Sequence, residues 1–312
     1  MNFEIVSKFA NFKNTILYKN RFFISQHPFL IDFQKHIEKD LEREKPIMIA
    51  QLAEGSVLYR ARIIDRHIDS SEKFNIAELM RQCSIEYSMI EKCTVCNESS
   101  NDKVGCGGSS SETAESFRHS AAEKWENLSF SSESNFNGFS SQESSLPPKE
   151  KCDIISDMRA NPKYIRYLYA ANDKYTALLE ARAGISSLVS VADIEVISPL
   201  RILDITNIKQ YKTDDDELFL LLQELNNEFS TPATGELKDY LASQVISEFI
   251  KSMDLKPNFD GICFRSSLNA KGKNYTIFSE NKFKPVSSDV YYISEVGLTA
   301  YGVTENSIIS SK

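Results

Sequence analysis

The chain has 312 residues, 41% hydrophobic and 26% charged, which is a globular composition and excludes disorder throughout. Its 44 acidic residues outnumber its 36 basic residues, giving a net charge of −8, so broad nucleic-acid binding is not expected. No apolar run approaches the roughly 20 residues that span a bilayer, and the start of the chain does not resemble a signal peptide. We therefore expect a soluble, cytoplasmic protein that binds neither nucleic acid nor membrane.

The first 50 residues are predicted to form a helical elaboration on a larger domain. Apolar residues recur every four positions after Pro28, which favours a helix over residues 28–43. The run Val-Leu-Tyr-Arg-Ala-Arg-Ile-Ile at 57–64 predicts a strand on which Arg60 and Arg62 share one face. Such a pair is typical of either a phosphate site or a solvated surface.

Residues 93–150 are interpreted as an insertion that begins with cysteines and continues as a serine-rich stretch. Of the 37 residues from 109 to 145, 13 are serine. This composition offers too little apolar surface to offset the entropy lost on ordering, so we expect a flexible segment. Its phenylalanines, Phe139 among them, could dock elsewhere, but the sequence does not indicate where.

Four cysteines lie close together around the start of this insertion: Cys83, Cys93, Cys96 and Cys106. Only Cys93 and Cys96 have the Cys-x2-Cys spacing by which one turn holds a zinc ion, so the zinc signal is weak. The alternative is a set of reduced thiols beside a flexible segment.

After the insertion, the patterning predicts an α+β domain. Helices are expected over residues 173–182, 214–229 and 236–253, the first of them capped by Asn172 or Asp173. Strands are expected over 188–197, 200–205, 261–266, 275–278 and 290–293. The main domain is thus predicted to span residues 51–290, interrupted by the insertion and followed by a C-terminal strand and tail over 291–312.

The second half of the chain contains no histidine, because all four histidines precede residue 150. Chemistry there must depend on arginine, glutamate, tyrosine and serine rather than on a histidine triad or a histidine metal site. These residue types suit cleavage of an N-glycosidic bond to a cationic leaving group, which needs a carboxylate to stabilise the ribose cation. Arginines would hold phosphates, and NAD is the common metabolite with these features.

Four short segments occur in a recognisable order: Leu-Tyr-Arg-Ala-Arg at 58–62, Arg-Ala-Asn-Pro at 159–162, Thr-Ala-Leu-Leu-Glu at 176–180, and Asp-Gly-Ile at 260–262 leading to Ser266. Together they resemble the RES-domain family, named for its arginine, glutamate and serine. The resemblance implies a fold similar to that of ADP-ribosyltransferase toxins, with a mixed central sheet flanked by helices.

The resemblance also implies an activity: degradation of NAD by transfer of ADP-ribose to inorganic phosphate or water, with no required cofactor. It further implies a toxin or defence effector and a neutralising, antitoxin-like partner. Residues at positions expected to be catalytic are Glu180, Arg159, Ser266 and Tyr169. Residues expected to bind NAD are Arg60, Arg62, Arg159, Asn161 and Asn274. The alternatives are a protein mono-ADP-ribosyltransferase and an inactive RES-like binding module.

The chain departs from the family pattern at four positions. Met158 and Tyr164 stand where the family has glycine, Ala160 where an aromatic residue is common, and Phe264 where tyrosine is usual. A lost glycine matters where the backbone needs a positive φ or must approach a ligand closely. About 90 residues also separate the Arg60 strand from the Arg159 turn, an unusually long interval for the family.

Overall fold

The computed structural model describes residues 4–64, 139–185, 187–207, 216–231, 236 and 238–293. The α-helices in this part are α1 Glu4–Tyr18, α2 Pro28–Leu41, α3 Ser141–Ser144, α4 Lys174–Ala181, α5 Asp216–Ser230 and α6 Lys238–Ser252. The strands are β1 Ile49–Leu52, β2 Val57–Ile63, β3 Leu168–Ala171, β4 Leu188–Val196, β5 Leu200–Asp204, β6 Gly261–Arg265, β7 Lys273–Ile277 and β8 Phe283–Tyr292. Short 3-10 helices cover Lys149–Ile154 and Glu280–Lys282.

The eight strands form one sheet in the order β1-β5-β6-β7-β3-β2-β4-β8. Strands β5 and β6 run parallel, whereas β1–β5, β6–β7, β7–β3, β3–β2 and β2–β4 are antiparallel. The predicted α+β fold with a mixed central sheet flanked by helices is therefore confirmed.

The sheet is weakly joined between β2 and β3. Strand β2 pairs with β4 over seven residues and β3 with β7 over four, but only Tyr59 and Ala171 pair across the junction between β2 and β3. A single residue pair therefore joins the two halves of the sheet at this junction.

Helices α1, α2, α5 and α6 pack together with one face of the sheet. The apolar residues of α1 lie one helical turn or two apart, and Ile5, Phe9, Phe12 and Ile16 are all buried. They share a hydrophobic core with residues of α5, α6, β5 and β6, so the N-terminal helices are continuous with the domain. A second core, which includes Leu58, Leu168, Ala192 and Ile277, is formed from the strands.

Most predicted elements are found within a few residues of their expected ends, and four regions differ. Helix α1 lies within the region predicted to be helical, although its bounds were not predicted, and strand β1 was not predicted. Strand β8 begins at Phe283 rather than near 290, because an edge strand tolerates Pro285 and the polar residues after it. Residues 139–150, at the end of the predicted flexible insertion, have defined structure. The capping box between Ser140 and Glu143 starts α3 there.

The remaining part of the predicted insertion, including Cys83, Cys93, Cys96 and Cys106, lies outside the described residues. Contacts divide the chain into a main unit of residues 1–64, 138–182 and 189–290 and a second unit of residues 65–137, 183–188 and 291–312. Most of the second unit also lies outside the described residues. None of the described helices has the length and apolar character needed to cross a membrane.

Candidate active site

A cavity of about 320 Å³ lies at the junction of β2 and β3. The two strands contribute Tyr59, Arg60, Ala61, Tyr169, Ala170 and Ala171 to its wall. The rest of the wall comes from the turn before β3, from α4, from the ends of α5 and α6 that face it, and from β6 and β7. Residues from seven helices and strands and from the turn before β3 thus surround one space.

Glu180 reaches this cavity from the last turn of α4. The helix starts immediately after β3, where the Asp173 side chain accepts a hydrogen bond from the Thr176 amide at 2.7 Å, as the sequence predicts for its N-cap. Oε1 of Glu180 accepts hydrogen bonds from Ser266 Oγ at 2.6 Å and from Asn274 Nδ2 at 2.7 Å. No other described residue donates to this carboxylate, so Oε2 remains available to a ligand.

Ser266 is committed entirely to holding Glu180. Its hydroxyl has one proton to donate and two lone pairs. The amides of Leu268 and Asn269 each donate to Oγ at 3.1 Å, which directs the proton to Glu180. Ser266 is buried and is not part of the cavity wall. It therefore positions the carboxylate rather than contacting a ligand.

Two glycines, Gly261 of the Asp-Gly-Ile segment and Gly272 before β7, are required by close packing. A Cβ at Gly261 would collide with the carbonyl of Thr276 on the neighbouring strand. A Cβ at Gly272 would lie 2.5 Å from Thr176 Oγ1, where the loop before β7 packs against α4. Asn269 donates to that same hydroxyl at 2.8 Å. These contacts lock α4, and with it Glu180, to the strands that carry Ser266 and Asn274.

Arg159 lines the cavity from the turn before β3. Its Nη1 donates to the carbonyl of Glu228 at 2.8 Å and its Nη2 to the carbonyl of Thr231 at 2.5 Å, which satisfies carbonyls at the C-terminal end of α5. Burial lowers the pKa of Arg159, and nearby acidic groups, Glu180 among them, oppose this effect. No carboxylate among the described residues forms an ion pair with its guanidinium.

Arg60 is another arginine of the cavity wall, which also contains Arg182 and Arg265. Burial lowers the pKa of Arg60 to about 10, so the guanidinium stays charged at neutral pH. Its Nη1 donates to the main-chain carbonyl of Ser145, and within the described ranges it has no carboxylate partner. Because a charge removed from water is costly unless it is compensated, this site favours an anionic ligand.

Tyr169 contributes its ring to the wall, while its hydroxyl is used inside the turn. The hydroxyl donates to Asn161 Oδ1 at 2.7 Å and accepts from the Ala160 amide at 2.9 Å. Burial raises the pKa of Tyr169 above its ordinary value. Asn161 is buried, and its amide donates to the carbonyls of Ser156 and Pro162. Asn161 therefore shapes the turn that carries Arg159 and is not part of the wall.

Arg62, expected to bind NAD, points elsewhere. It is exposed, is absent from the cavity wall, donates to the carbonyl of Glu143 at 2.6 Å, and stacks 4.1 Å from the ring centre of Phe139. The structure thus brings five of the eight predicted site residues to the cavity: Arg60, Arg159, Tyr169, Glu180 and Asn274. Asn161 and Ser266 contact the wall residues Tyr169 and Glu180, whereas Arg62 contacts Phe139 and Glu143 outside the wall.

The wall also contains residues to which the sequence assigned no role, among them Arg182, Ser230 and Tyr240. Each stands at or next to a helix end: after α4, at the end of α5 and in the first turn of α6. Helical periodicity identifies the buried face of a helix but not a residue brought to a site by its end.

The departures from the family pattern have separate structural effects. Tyr164 has a φ of +73°, so the backbone there does adopt the conformation that favours glycine. Met158 has no positive φ and instead adds its side chain to the cavity wall. Phe264 also lines the cavity and packs against Phe229, with ring centres 5.3 Å apart.

No group of three or more histidine, cysteine, aspartate or glutamate side chains that could hold a metal ion occurs among the described residues.

The comparison with family models gave a match to the RES domain over residues 139–296, just over half of the chain. The comparisons with curated proteins and with solved structures gave no match.

Proposed function

This chain belongs to the RES-domain family, and we propose that it degrades NAD by cleaving the bond between nicotinamide and ribose. The observation that carries the proposal is the content of one cavity. Arg60 and Arg159, which have no carboxylate partner among the described residues, line it together with a glutamate, Glu180, that is anchored by two hydrogen bonds. This arrangement complements a dinucleotide, which carries a negative diphosphate at its centre and a positive charge on its nicotinamide ring.

Arg60 and Arg159 are proposed to hold the diphosphate. Guanidinium groups donate to phosphate oxygens in a fixed planar geometry, and each hydrogen bond between charged groups contributes about 1.5–3 kcal/mol. Within the part of the chain that the structure describes, the hydrogen bonds of both arginines use only part of each guanidinium, which leaves further N–H groups to donate to phosphate. The ring of Tyr169 would lie against the bound ribose or nicotinamide.

Glu180 is proposed to stabilise the positive charge that develops on C1 of the nicotinamide ribose. The bond from C1 to the nicotinamide nitrogen breaks, and its electron pair stays on nicotinamide, which leaves as a neutral molecule. An oxygen of phosphate or water then bonds to C1, and with water as acceptor one proton is released to solvent. A carboxylate already held by Ser266 and Asn274 needs little reorganisation, which is the basis of electrostatic catalysis.

Loss of NAD would arrest growth, so the proposed biological role is that of a toxin or defence effector acting in the cytoplasm. Such an enzyme harms the cell that makes it, and a neutralising partner protein is part of the proposal. Whether phosphate or water accepts the ADP-ribose is decided by the product, which is ADP-ribose 1″-phosphate in the first case and ADP-ribose in the second.

The test is NAD consumption by the purified chain, with and without inorganic phosphate, beside Glu180→Gln. The substitution removes the negative charge, while its amide oxygen can still accept from Ser266 and Asn274. We expect the native chain to consume NAD and the variant to be slower by about 10²–10³-fold, as for other groups that stabilise transition-state charge. Chromatography of the products identifies the acceptor.

Ser266→Ala serves as the companion variant, since it keeps the carboxylate charge but removes one donor that orients it. We expect an intermediate loss of kcat and little change in NAD binding. A folded native chain that leaves NAD intact in both buffers would contradict the proposal. Protein mono-ADP-ribosylation or a binding role without catalysis would then be the remaining functions.

A further inference from the structure

Residues 139–145, which we call the strap, cross the pair of strands β2 and β4 beside the cavity. At its start, the Phe139 amide donates to Ser190 Oγ on β4 at 2.7 Å. Arg62, which pairs directly with Ser190 across the two strands, stacks on the Phe139 ring and donates to the Glu143 carbonyl at 2.6 Å. The strap is therefore fastened to both strands near one point.

The strap has its own internal structure. Ser140 Oγ accepts from the Glu143 amide at 3.2 Å, and the Glu143 carboxylate accepts from the Ser140 amide at 2.9 Å, which together fix one helical turn. Ser144 and Ser145 at its end are buried. A turn with both ends held transmits the position of its start to its end.

The end of the strap is where Arg60 is held, because the carbonyl of Ser145 accepts from Arg60 Nη1. Arg60 and Arg62 are two residues apart on β2 and share a face. Arg62 thus binds the strap outside the cavity, and the strap in turn orients Arg60 at the cavity wall. An arginine side chain loses rotamer entropy when it is fixed, so fixing Arg60 in advance lowers the cost of binding an anion.

We propose that Arg62 is a positioning residue: through the strap it sets the orientation of Arg60 and thereby the affinity of the cavity for a diphosphate. This inference rests on the proposed function for the identity of the ligand. It also connects the end of the serine-rich region with the cavity, because the strap, residues 139–145, orients Arg60 there. It also replaces the expectation that Arg62 contacts NAD itself.

A positioning role for Arg62 and a direct contact of Arg62 with the ligand predict different effects of a substitution at Phe139. If Arg62 acts through the strap, loss of the Phe139 ring loosens the same element, and the two substitutions do not add. If Arg62 contacts the ligand, Phe139 has no effect on the ligand, or the two effects multiply. The variants are Arg62→Gln, Phe139→Leu and the double variant. Lys284→Gln is the control, because Lys284 is an exposed strand residue paired with Glu195 at 3.0 Å.

We expect Arg62→Gln to raise the KM for NAD about tenfold and to change kcat by less than about twofold. A tenfold change in KM corresponds to the free energy of one ordinary hydrogen bond. Phe139→Leu is expected to raise KM in the same direction, and the double variant no further than Arg62→Gln. Arg62→Lys, which keeps a donor and a charge over the ring, should restore part of the affinity. Thermal unfolding should stay near that of the native chain.

Binding of inorganic pyrophosphate, measured by calorimetry, gives a second readout that does not require turnover. If the native chain binds pyrophosphate but leaves NAD intact, the proposed function fails. The positioning role is then upheld only if both variants weaken pyrophosphate binding alike. A native KM in Phe139→Leu, multiplying effects in the double variant, or a native chain that binds neither ligand would overturn the inference.

Discussion

Tyr164 adopts a backbone conformation that is unfavourable for a residue with a side chain. Its φ of +73° lies in the left-handed region, which costs a residue with a side chain roughly 1–2 kcal/mol. Its side chain is 55% exposed, and its ring contacts Lys163 at 5.0 Å. Packing of the Tyr164 side chain therefore offsets little of the strain. The turn that contains Tyr164 also carries Arg159 and leads into β3, and the structure around this turn maintains the strained conformation.

We predict that Tyr164→Gly is more stable than Tyr164→Ala by about 1 kcal/mol. Both variants lose the ring, and only alanine keeps the Cβ that strains a positive φ. Urea denaturation of the two variants measures the difference in the free energy of unfolding. In an ordinary position alanine is the more stable of the two. An advantage for alanine here would mean that the turn relaxes to a negative φ.

At the scale of the element, helix α2 is capped by a residue that can titrate. Nδ1 of His27 accepts from the Phe29 amide at 3.2 Å, and Nε2 lies 3.1 Å from Asn11 Oδ1. This geometry requires the neutral ring with its proton on Nε2. Burial lowers the pKa of His27 below its ordinary value. Protonation of Nδ1 would remove the acceptor and place a positive charge at the helix N-terminus.

The sign of the pH effect follows from this lowered pKa. At acidic pH the unfolded chain binds a proton at His27 more readily than the folded chain does, so folding is disfavoured. The stabilisation is complete above the unfolded pKa of about 6.5 and is lost as pH falls below it. We predict that His27→Asn, which caps without titrating, gains stability relative to the native chain between pH 7.5 and 5.5. The measurement is the thermal unfolding of both proteins at the two pH values. An equal loss of stability in both proteins between pH 7.5 and 5.5 would contradict the prediction.

At the scale of the whole molecule, the N-terminal helices are part of the domain core. Phe33 of α2 is fully buried and packs against Phe29 and against Phe249 of α6, with ring centres 6.3 and 6.4 Å apart. Strand β1, which follows α2, pairs with β5 and completes one end of the sheet. Residues 1–50 should therefore unfold with the domain and not before it.

We predict that Phe33→Ala lowers the free energy of unfolding by about 3–5 kcal/mol, the usual cost of removing a buried phenylalanine. The loss should be seen in a single cooperative transition. Phe22→Ala is the matched control, because Phe22 is 74% exposed, and it should change stability by less than about 0.5 kcal/mol. Circular dichroism during denaturation distinguishes these outcomes. A separate early transition in Phe33→Ala would show that the N-terminal helices form an independent unit.

The sequence by itself determined which residue types could perform the chemistry and where most elements lie. The α4 helix with its Asp173 cap, the strand that carries Arg60, and the order of the segments around Arg159, Glu180 and Ser266 all follow from local patterns. Such patterns depend on neighbours within a few residues, so they can be read along the chain. Strand β1 and the start of β8 were missed because both strands lie at the ends of the sheet, where pairing with a neighbouring strand decides their extent.

Only the tertiary structure decided what those residues do together. Ser266 and Glu180 are 86 positions apart, and Arg62 and Glu143 are 81 apart, so no local pattern reports their contact. The saturation of the Ser266 hydroxyl and the stacking of Arg62 on Phe139 assign both residues to positioning. The cavity lies where β2 and β3 share only one residue pair. That position depends on how strands distant in the chain pack together, and it brings Glu180 to one place with four arginines, Arg60, Arg159, Arg182 and Arg265.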